Sequence, residues 1–310
     1  MKVLHLFLTI SLIVSTILLT SCSNKSSNEE ELSLYSAKKT IQTKEHDQND
    51  HRLKIGIASV NSPQLSLSKY NLLIRYLEKN LHLKIEVIQK QTYKEINDML
   101  KNGKVDFAFI CSLSYVIGMK EGYLEGVAVP EINGSTLYRS YTIVGKNSNY
   151  HNIKDLEGKK FAFTDPYSYS GRLSLLMELH TLGKNPEQFF SHTYYTYSHD
   201  NSIKSVALGI VDGASVDGQL YESMKTTNPD LISQTKIIGF GEESGSPPFV
   251  SSKEVNQEIV NKVQAILFNL AETNEGKNIL GELGIDRYVP IHQENYKTIE
   301  KSLYLFGEKP

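Results

Sequence analysis

Two distant stretches of this chain echo one another, and the echo narrows the folds open to it. Gly103-Lys104-Val105-Asp106-Phe107-Ala108 returns as Gly209-Ile210-Val211-Asp212-Gly213-Ala214. The register continues, with Ile110 matching Val216, Cys111 matching Asp217, Ser112 matching Gly218 and Tyr115 matching Tyr221. Upstream, Thr92-Tyr93 and His199-Asp200 are expected at corresponding helix starts. Each copy reads as a helix ended by glycine, a short buried strand, and a second helix. A register shared across strand and helix makes two similar lobes. In open α/β sheets, ligands bind beyond the carboxyl ends of the strands, so two facing lobes place those ends on either side of one cleft.

From Leu53 onward, strands and helices alternate. Residues 54–58 read as a strand. Residues 70–81 read as a helix with Leu73, Tyr76, Leu77 and Leu81 on one face. A second strand over 84–88 precedes a helix capped by Thr92, with Ile96, Met99 and Leu100 as its buried stripe. Ser112 is expected to cap the helix after the strand 105–110. This order implies an α/β fold with parallel sheets covered by helices. A strand over 138–145 follows the first lobe, and residues 237–250 carry the chain back. Helices over 256–270 and 296–306 then pack on the first lobe. The expected division is lobe 1 from 51–138 and 250–310, and lobe 2 from 139–249, with two crossings forming a hinge.

The N-terminus speaks to location. Lys2 precedes a nearly uninterrupted apolar stretch, residues 3–19, ending in Leu19-Thr20-Ser21-Cys22 and then a polar run. The small residues before the cysteine resemble a bacterial lipobox, which implies removal of residues 1–21 and acylation of Cys22. Two or three acyl chains hold a protein firmly at a membrane surface. An uncleaved anchor with an incidental cysteine is the competing reading. Residues 22–50, rich in Ser, Asn, Glu, Lys and Gln, read as a solvated tether. The expected place is therefore the bacterial cell membrane, lipid-anchored, on its extracellular or periplasmic side. Cys22 and Cys111 are the only cysteines, so the mature domain has no internal disulfide. A formal charge of −2 argues against a nucleic-acid partner.

The segment Asp165-Pro166-Tyr167-Ser168-Tyr169-Ser170-Gly171-Arg172 lies between a buried strand, Lys160 to Thr164, and an apolar helical run, 173–182. Pro166 breaks the strand, Ser170 is expected to cap the helix, and Gly171 lets the backbone approach a ligand. A helix start carries unpaired N–H donors and partial positive charge, which suits an oxyanion. The hydroxyls of Ser168 and Ser170 would add donors. An ordinary capped strand–helix turn is the alternative.

These features, in this order and spacing, resemble the phosphate/phosphite/phosphonate-binding proteins of bacterial ABC importers, over about residues 53–270. The resemblance rests on Lys54-Ile55-Gly56-Ile57, on 103–115, on Phe161 to Pro166 with Ser168, Ser170 and Gly171, and on Ser198-His199-Asp200 with Val211-Asp212. It implies a two-lobed type II periplasmic-binding-protein fold, a monomer without cofactor that closes on a small oxyanion and meets ABC permease and ATPase subunits. It also implies that Ser168, Tyr169 and Ser170 hold the oxyanion, that His199, Tyr93 and Tyr138 donate to it, and that Asp217 supplies a carboxylate. Each has a structural alternative: His199 flanks a cap, the tyrosines pack, and Asp217 caps the helix from Gly218.

Two departures from the family stand out: Tyr169 where threonine is common, and Pro247 where relatives often carry an acid before Pro-Phe. The first narrows the site or stacks beside a substituent. The second makes an aminoalkyl phosphonate a poorer ligand.

A sensory or orphan lipoprotein of the same fold, binding another small molecule, is the second reading. An enzyme is the third: Asp165, Ser170 and His199 would form its triad, but no GxSxG, P-loop, HExxH or paired cysteines accompany them.

Overall fold

The computed structural model describes residues 52–58 and 63–306, so Cys22, the segment 1–21 and the tether 22–50 lie outside the described residues. In chain order the first half runs β1 (Arg52–Ala58), α1 (Pro63–Leu81), β2 (Lys84–Lys90), α2 (Tyr93–Lys101), β3 (Phe107–Phe109), α3 (Ser112–Glu121) and β4 (Leu124–Glu131). A short crossing strand, β5 (Leu137–Tyr138), leads to β6 (Ser140–Gly145) and β7 (Lys160–Phe163). A π-helical turn, Tyr169–Leu173, opens α4 (Ser174–Thr181). Then come α5 (Pro186–Phe189), β8 (His192–Tyr195), α6 (His199–Ala207), β9 (Gly213–Asp217), α7 (Gly218–Thr227), α8 (Pro229–Ser233) and β10 (Thr235–Phe240). The return strand β11 (Ser244–Gly245) precedes β12 (Phe249–Ser252), α9 (Gln257–Phe268), α10 (Asn274–Leu283), β13 (Arg287–Val289) and α11 (Lys297–Phe306).

Two sheets result. One is ordered β13-β4-β12-β3-β1-β2, the other β10-β6-β9-β7-β8, and the crossing strands β5 and β11 pair antiparallel between them. The sheets are mixed rather than parallel throughout. β1 lies parallel to β2 and β3, and β7 to β8 and β9, whereas β12 and β6 run antiparallel to their neighbours. The reason is the route of the chain. β12 and β6 each start from a crossing segment, so they run away from the ends toward which the parallel strands point.

The internal echo is structural and reaches further back than the glycines. α2 and α6 have the same length and the same separation in sequence as Gly103 from Gly209, both at positive φ. Asp106 and Asp212 make the same bracket: each carboxylate accepts the N–H of Lys54 or Lys160, at 2.7 and 2.9 Å, and each N–H returns to that lysine's carbonyl at 2.9 Å. The helix starts correspond one residue earlier than expected. The N-caps are Thr92 and Ser198, which makes Tyr93 and His199 equivalent first residues. Two further caps also move. Cys111 rather than Ser112 is the N-cap of α3, and Ser168 rather than Ser170 caps the turn before α4.

Apolar cores lie on both sides of each sheet. One joins Leu73, Leu77 and Phe107 to Leu267 and Leu280, so the C-terminal helices complete the first sheet's packing. In the last helical segment Tyr296, Ile299 and Leu303 are buried on one face, as their spacing predicts.

Candidate functional site

Five helical starts meet where the two sheets face each other. α2 follows β2, α3 follows β3, the turn at Ser168 follows β7, α6 follows β8, and α7 follows β9. Each start presents peptide N–H groups and partial positive charge beyond a strand's carboxyl end. Hydrogen bonds tie them together. Tyr93 N–H of α2 donates to Asp165 Oδ2 at 3.2 Å, and Tyr169 N–H approaches Cys111 Sγ at 3.4 Å. Asp217 N–H donates to His199 Nδ1 at 3.0 Å, joining α6 to the cap of α7. The Ser170 carbonyl accepts from Ser140 Oγ at 2.6 Å and Ser215 Oγ at 2.8 Å.

The serine turn is built for close packing. Ser168 Oγ accepts the Gly171 N–H at 2.9 Å, and the Leu173 N–H reaches the Ser168 carbonyl at 3.0 Å, so one extra residue fits into the first turn. Gly171 is required by its neighbours. A Cβ there would lie 2.4 Å from Thr164 Cβ, 2.5 Å from Thr164 Oγ1 and 2.8 Å from Ser168 Oγ. Gly171→Ala should therefore cost about 1–3 kcal/mol, read by urea unfolding. An unchanged midpoint would mean that Thr164 yields without strain. Arg172 folds back to the Pro166 carbonyl at 3.3 Å.

Tyr169 is buried and turns its hydroxyl to the Glu242 carbonyl at 2.8 Å, tying the turn to the return crossing. Its ring packs 6.0 Å from that of Tyr138. Tyr138 in turn has its hydroxyl 3.0 Å from Ser112 Oγ, which lies 2.7 Å from the Gly245 carbonyl. Ser112 Oγ is the donor toward both, so its one proton is shared between the Gly245 carbonyl and the Tyr138 oxygen, and the Tyr138 proton is not committed to Ser112.

His199 is buried, and burial holds its pKa down at about 3. The ring is neutral, and because Nδ1 accepts from Asp217 the remaining proton sits on Nε2 as a donor. Asp217 does cap α7, with Oδ1 accepting the Leu220 N–H at 2.9 Å, and burial raises its pKa to about 6. Tyr93 is fully buried and its hydroxyl has no hydrogen-bond partner among the described residues. Leaving such a group unpaired costs about 1–3 kcal/mol. Burial, then the charges of Cys111, Asp165 and Asp217, raise its pKa, so the phenol keeps its proton.

The expected site residues are thus drawn into one buried polar cluster, and Asp165, Ser112, Ser140, Ser215 and Cys111 join it. The triad of Asp165, Ser170 and His199 is not formed. Asp165 is committed to the amides of Tyr93 and Tyr167, and His199 Nδ1 to Asp217 and Thr164. Beside the cluster opens a cavity of about 660 Å³, which Tyr138 and Asp217 line but Tyr93, Ser168, Tyr169, Ser170 and His199 do not. Among the described residues, no group of acidic, histidine or cysteine side chains is placed to hold a metal ion.

Residues 55–296 match the family model described as an ABC transporter, phosphonate, periplasmic substrate-binding protein. The chain belongs to that family. A phosphonates-binding periplasmic protein of Escherichia coli is 26% identical over 260 residues, covering 81% of this chain and 76% of the relative. The phosphate-import protein PhnD of Mycolicibacterium smegmatis is 27% identical over 221 residues, 68% of each chain. Among solved structures, PhnD1 of Prochlorococcus marinus in complex with methylphosphonate has a TM-score of 0.76 at 20% identity. It covers 84% of this chain and 100% of that one. The two-lobed type II binding-protein fold is therefore shared. These relatives are substrate-binding components of transporters. No helix among the described residues is long and apolar enough to cross a membrane.

Proposed function

We propose that this protein binds a phosphorus oxyanion (phosphonate, phosphite or phosphate) in the cluster of helical starts and delivers it to the permease and ATPase subunits of an ABC importer. It does so as a monomer, held through Cys22 at the membrane surface. The observation that carries the reading is chemical. Helical starts from both halves converge on donors that are neutral: serine hydroxyls, peptide N–H groups, two protonated phenols and the Nε2–H of an uncharged histidine. Such a set suits a tetrahedral anion gripped by hydrogen bonds rather than by a salt bridge. Ser168 and Ser170 supply hydroxyls, and the Tyr169 N–H exchanges its long contact with Cys111 sulfur for an oxygen. Tyr93 gives its unpaired hydroxyl, Tyr138 gives its phenolic proton while accepting from Ser112, and His199 donates from Nε2.

Asp217 sets the selectivity. A phosphoryl group that keeps a proton near neutral pH can donate to the carboxylate, whereas sulfate has only acceptors to offer. Two acceptors facing each other leave both unpaired. Isothermal titration with methylphosphonate, phosphite, phosphate and sulfate tests the reading, which fails if none of the phosphorus compounds binds. Asp217→Asn should narrow the gap between methylphosphonate and sulfate about 10- to 100-fold, as a hydrogen bond to a charged group is worth about 1.5–3 kcal/mol. Acid should do the same in the native protein, because below about pH 6 Asp217 itself carries a proton. An unchanged gap in the variant would remove Asp217 from selection.

A further inference from the structure

The cavity beside the anion cluster is far larger than a methyl group needs. At about 660 Å³ it has room for on the order of twenty water molecules, and it falls within the usual range of ligand pockets. Tyr138 and Asp217 form the wall it shares with the cluster, while Lys69, Tyr70, Pro247 and Phe249 line other parts of it. The remaining charges on its wall are already matched. Arg139 pairs with Glu243, and Glu222 pairs with Lys225 at 2.7 Å. Lys69 stands apart. It is half-buried, desolvation lowers its pKa, the charge of Asp217 attracts it, and no ion pair or hydrogen bond engages its ammonium among the described residues. A partly desolvated cation held only by the longer-range pull of Asp217, with no direct ion pair, favours whatever anion enters the space beside it.

Resting on the reading of the protein as a phosphorus-oxyanion receptor, we propose that the cavity holds the organic substituent of the ligand and that Lys69 pairs with an anionic group on it. The ligand class is then a phosphonate, or phosphate ester, carrying a carboxylate on its organic substituent. Pro247 brings no charge to the cavity's lining, and an ammonium on the substituent meets Lys69 as a like charge. The second anionic group selects among ligands, while the phosphoryl group is gripped by the cluster.

Titration of methylphosphonate, phosphonoacetate, 3-phosphonopropionate and 2-aminoethylphosphonate into the native protein, Lys69→Met and Lys69→Arg tests this. One phosphonocarboxylate should bind about tenfold tighter than methylphosphonate. That preference should vanish in Lys69→Met and persist in Lys69→Arg, while methylphosphonate changes little. The aminoethyl compound should bind the native protein worst and recover in Lys69→Met. Methylphosphonate binding with no carboxylate preference, or with a preference that survives Lys69→Met, overturns the inference and leaves the receptor reading standing. Failure of the whole series, methylphosphonate included, overturns both.

Discussion

His199→Phe should weaken methylphosphonate binding about 10- to 100-fold and destabilise the fold by about 1–3 kcal/mol at pH 7. The ring volume is nearly kept, so the losses are polar. The Nε2–H proposed to donate to the oxyanion disappears, and the Asp217 N–H and Thr164 hydroxyl lose the Nδ1 they share at 3.0 and 3.1 Å. The stability deficit should also depend on pH, with a sign set by burial. His199 has a folded pKa of about 3, below its ordinary 6.5, so between those values the unfolded chain carries the extra proton. Its contribution is complete above pH 6.5 and is lost on acidification, at about 1.4 kcal/mol per pH unit. By pH 5 about 2 kcal/mol of the native advantage should be gone, and the two proteins should unfold at nearly the same urea concentration. Asp217 acts in the opposite sense. Its folded pKa of about 6 lies above the ordinary 3.8, so the folded state takes up the proton first, and acid favours it over that window. Asp217 is present in both proteins, so the comparison removes its contribution to first order. An equal deficit at pH 7 and pH 5 would show that His199 is not held neutral by its surroundings.

What sequence reading reached here, and what it missed, divide along one physical line. Contacts within a repeating strand–helix unit are local, and they leave marks. Glycines at the helix ends, the aspartates after them and the apolar strands recur at a fixed separation, so two facing sheets could be inferred. That a polar cluster lies at the helical starts followed from the same pattern. The capping serine did not. A π turn inserts one extra residue, which places the cap at Ser168 and leaves Ser170 inside the turn, where an α-helical count goes astray. Gly171 was legible as special, but its reason, the side chain of Thr164 against its Cα, depends on packing. Contacts between the halves leave no mark at all. Nothing near Tyr93 announces that its N–H meets Asp165, and nothing near Lys69 announces that it shares a cavity with Asp217. Function at a cleft is written mostly in such pairs.

Asp165 is the sharpest of them, and Asp165→Asn should lower ligand affinity about 5- to 100-fold while shifting the protein toward a more open form. The carboxylate is fully buried, with one oxygen accepting from Tyr93 N–H across the cleft at 3.2 Å and the other from Tyr167 N–H on its own side at 2.7 Å. Asparagine keeps the shape but turns one acceptor into a donor, which would face one of those N–H groups. The lost bond and the unpaired group cost about 1–3 kcal/mol, and the part that falls across the cleft acts only on the arrangement in which the halves touch. Affinity then drops with the population of that arrangement. A second effect opposes the first. Asp165 puts a negative charge beside the proposed anion site, although burial raises its pKa and two N–H groups already oppose the charge, and asparagine removes that repulsion. Small-angle scattering of ligand-free protein separates the two. If the contact across the cleft dominates, the variant's radius of gyration rises and binding weakens together. If charge dominates, the scattering stays the same and methylphosphonate binds more tightly, and Asp165 then has no part in holding the halves together.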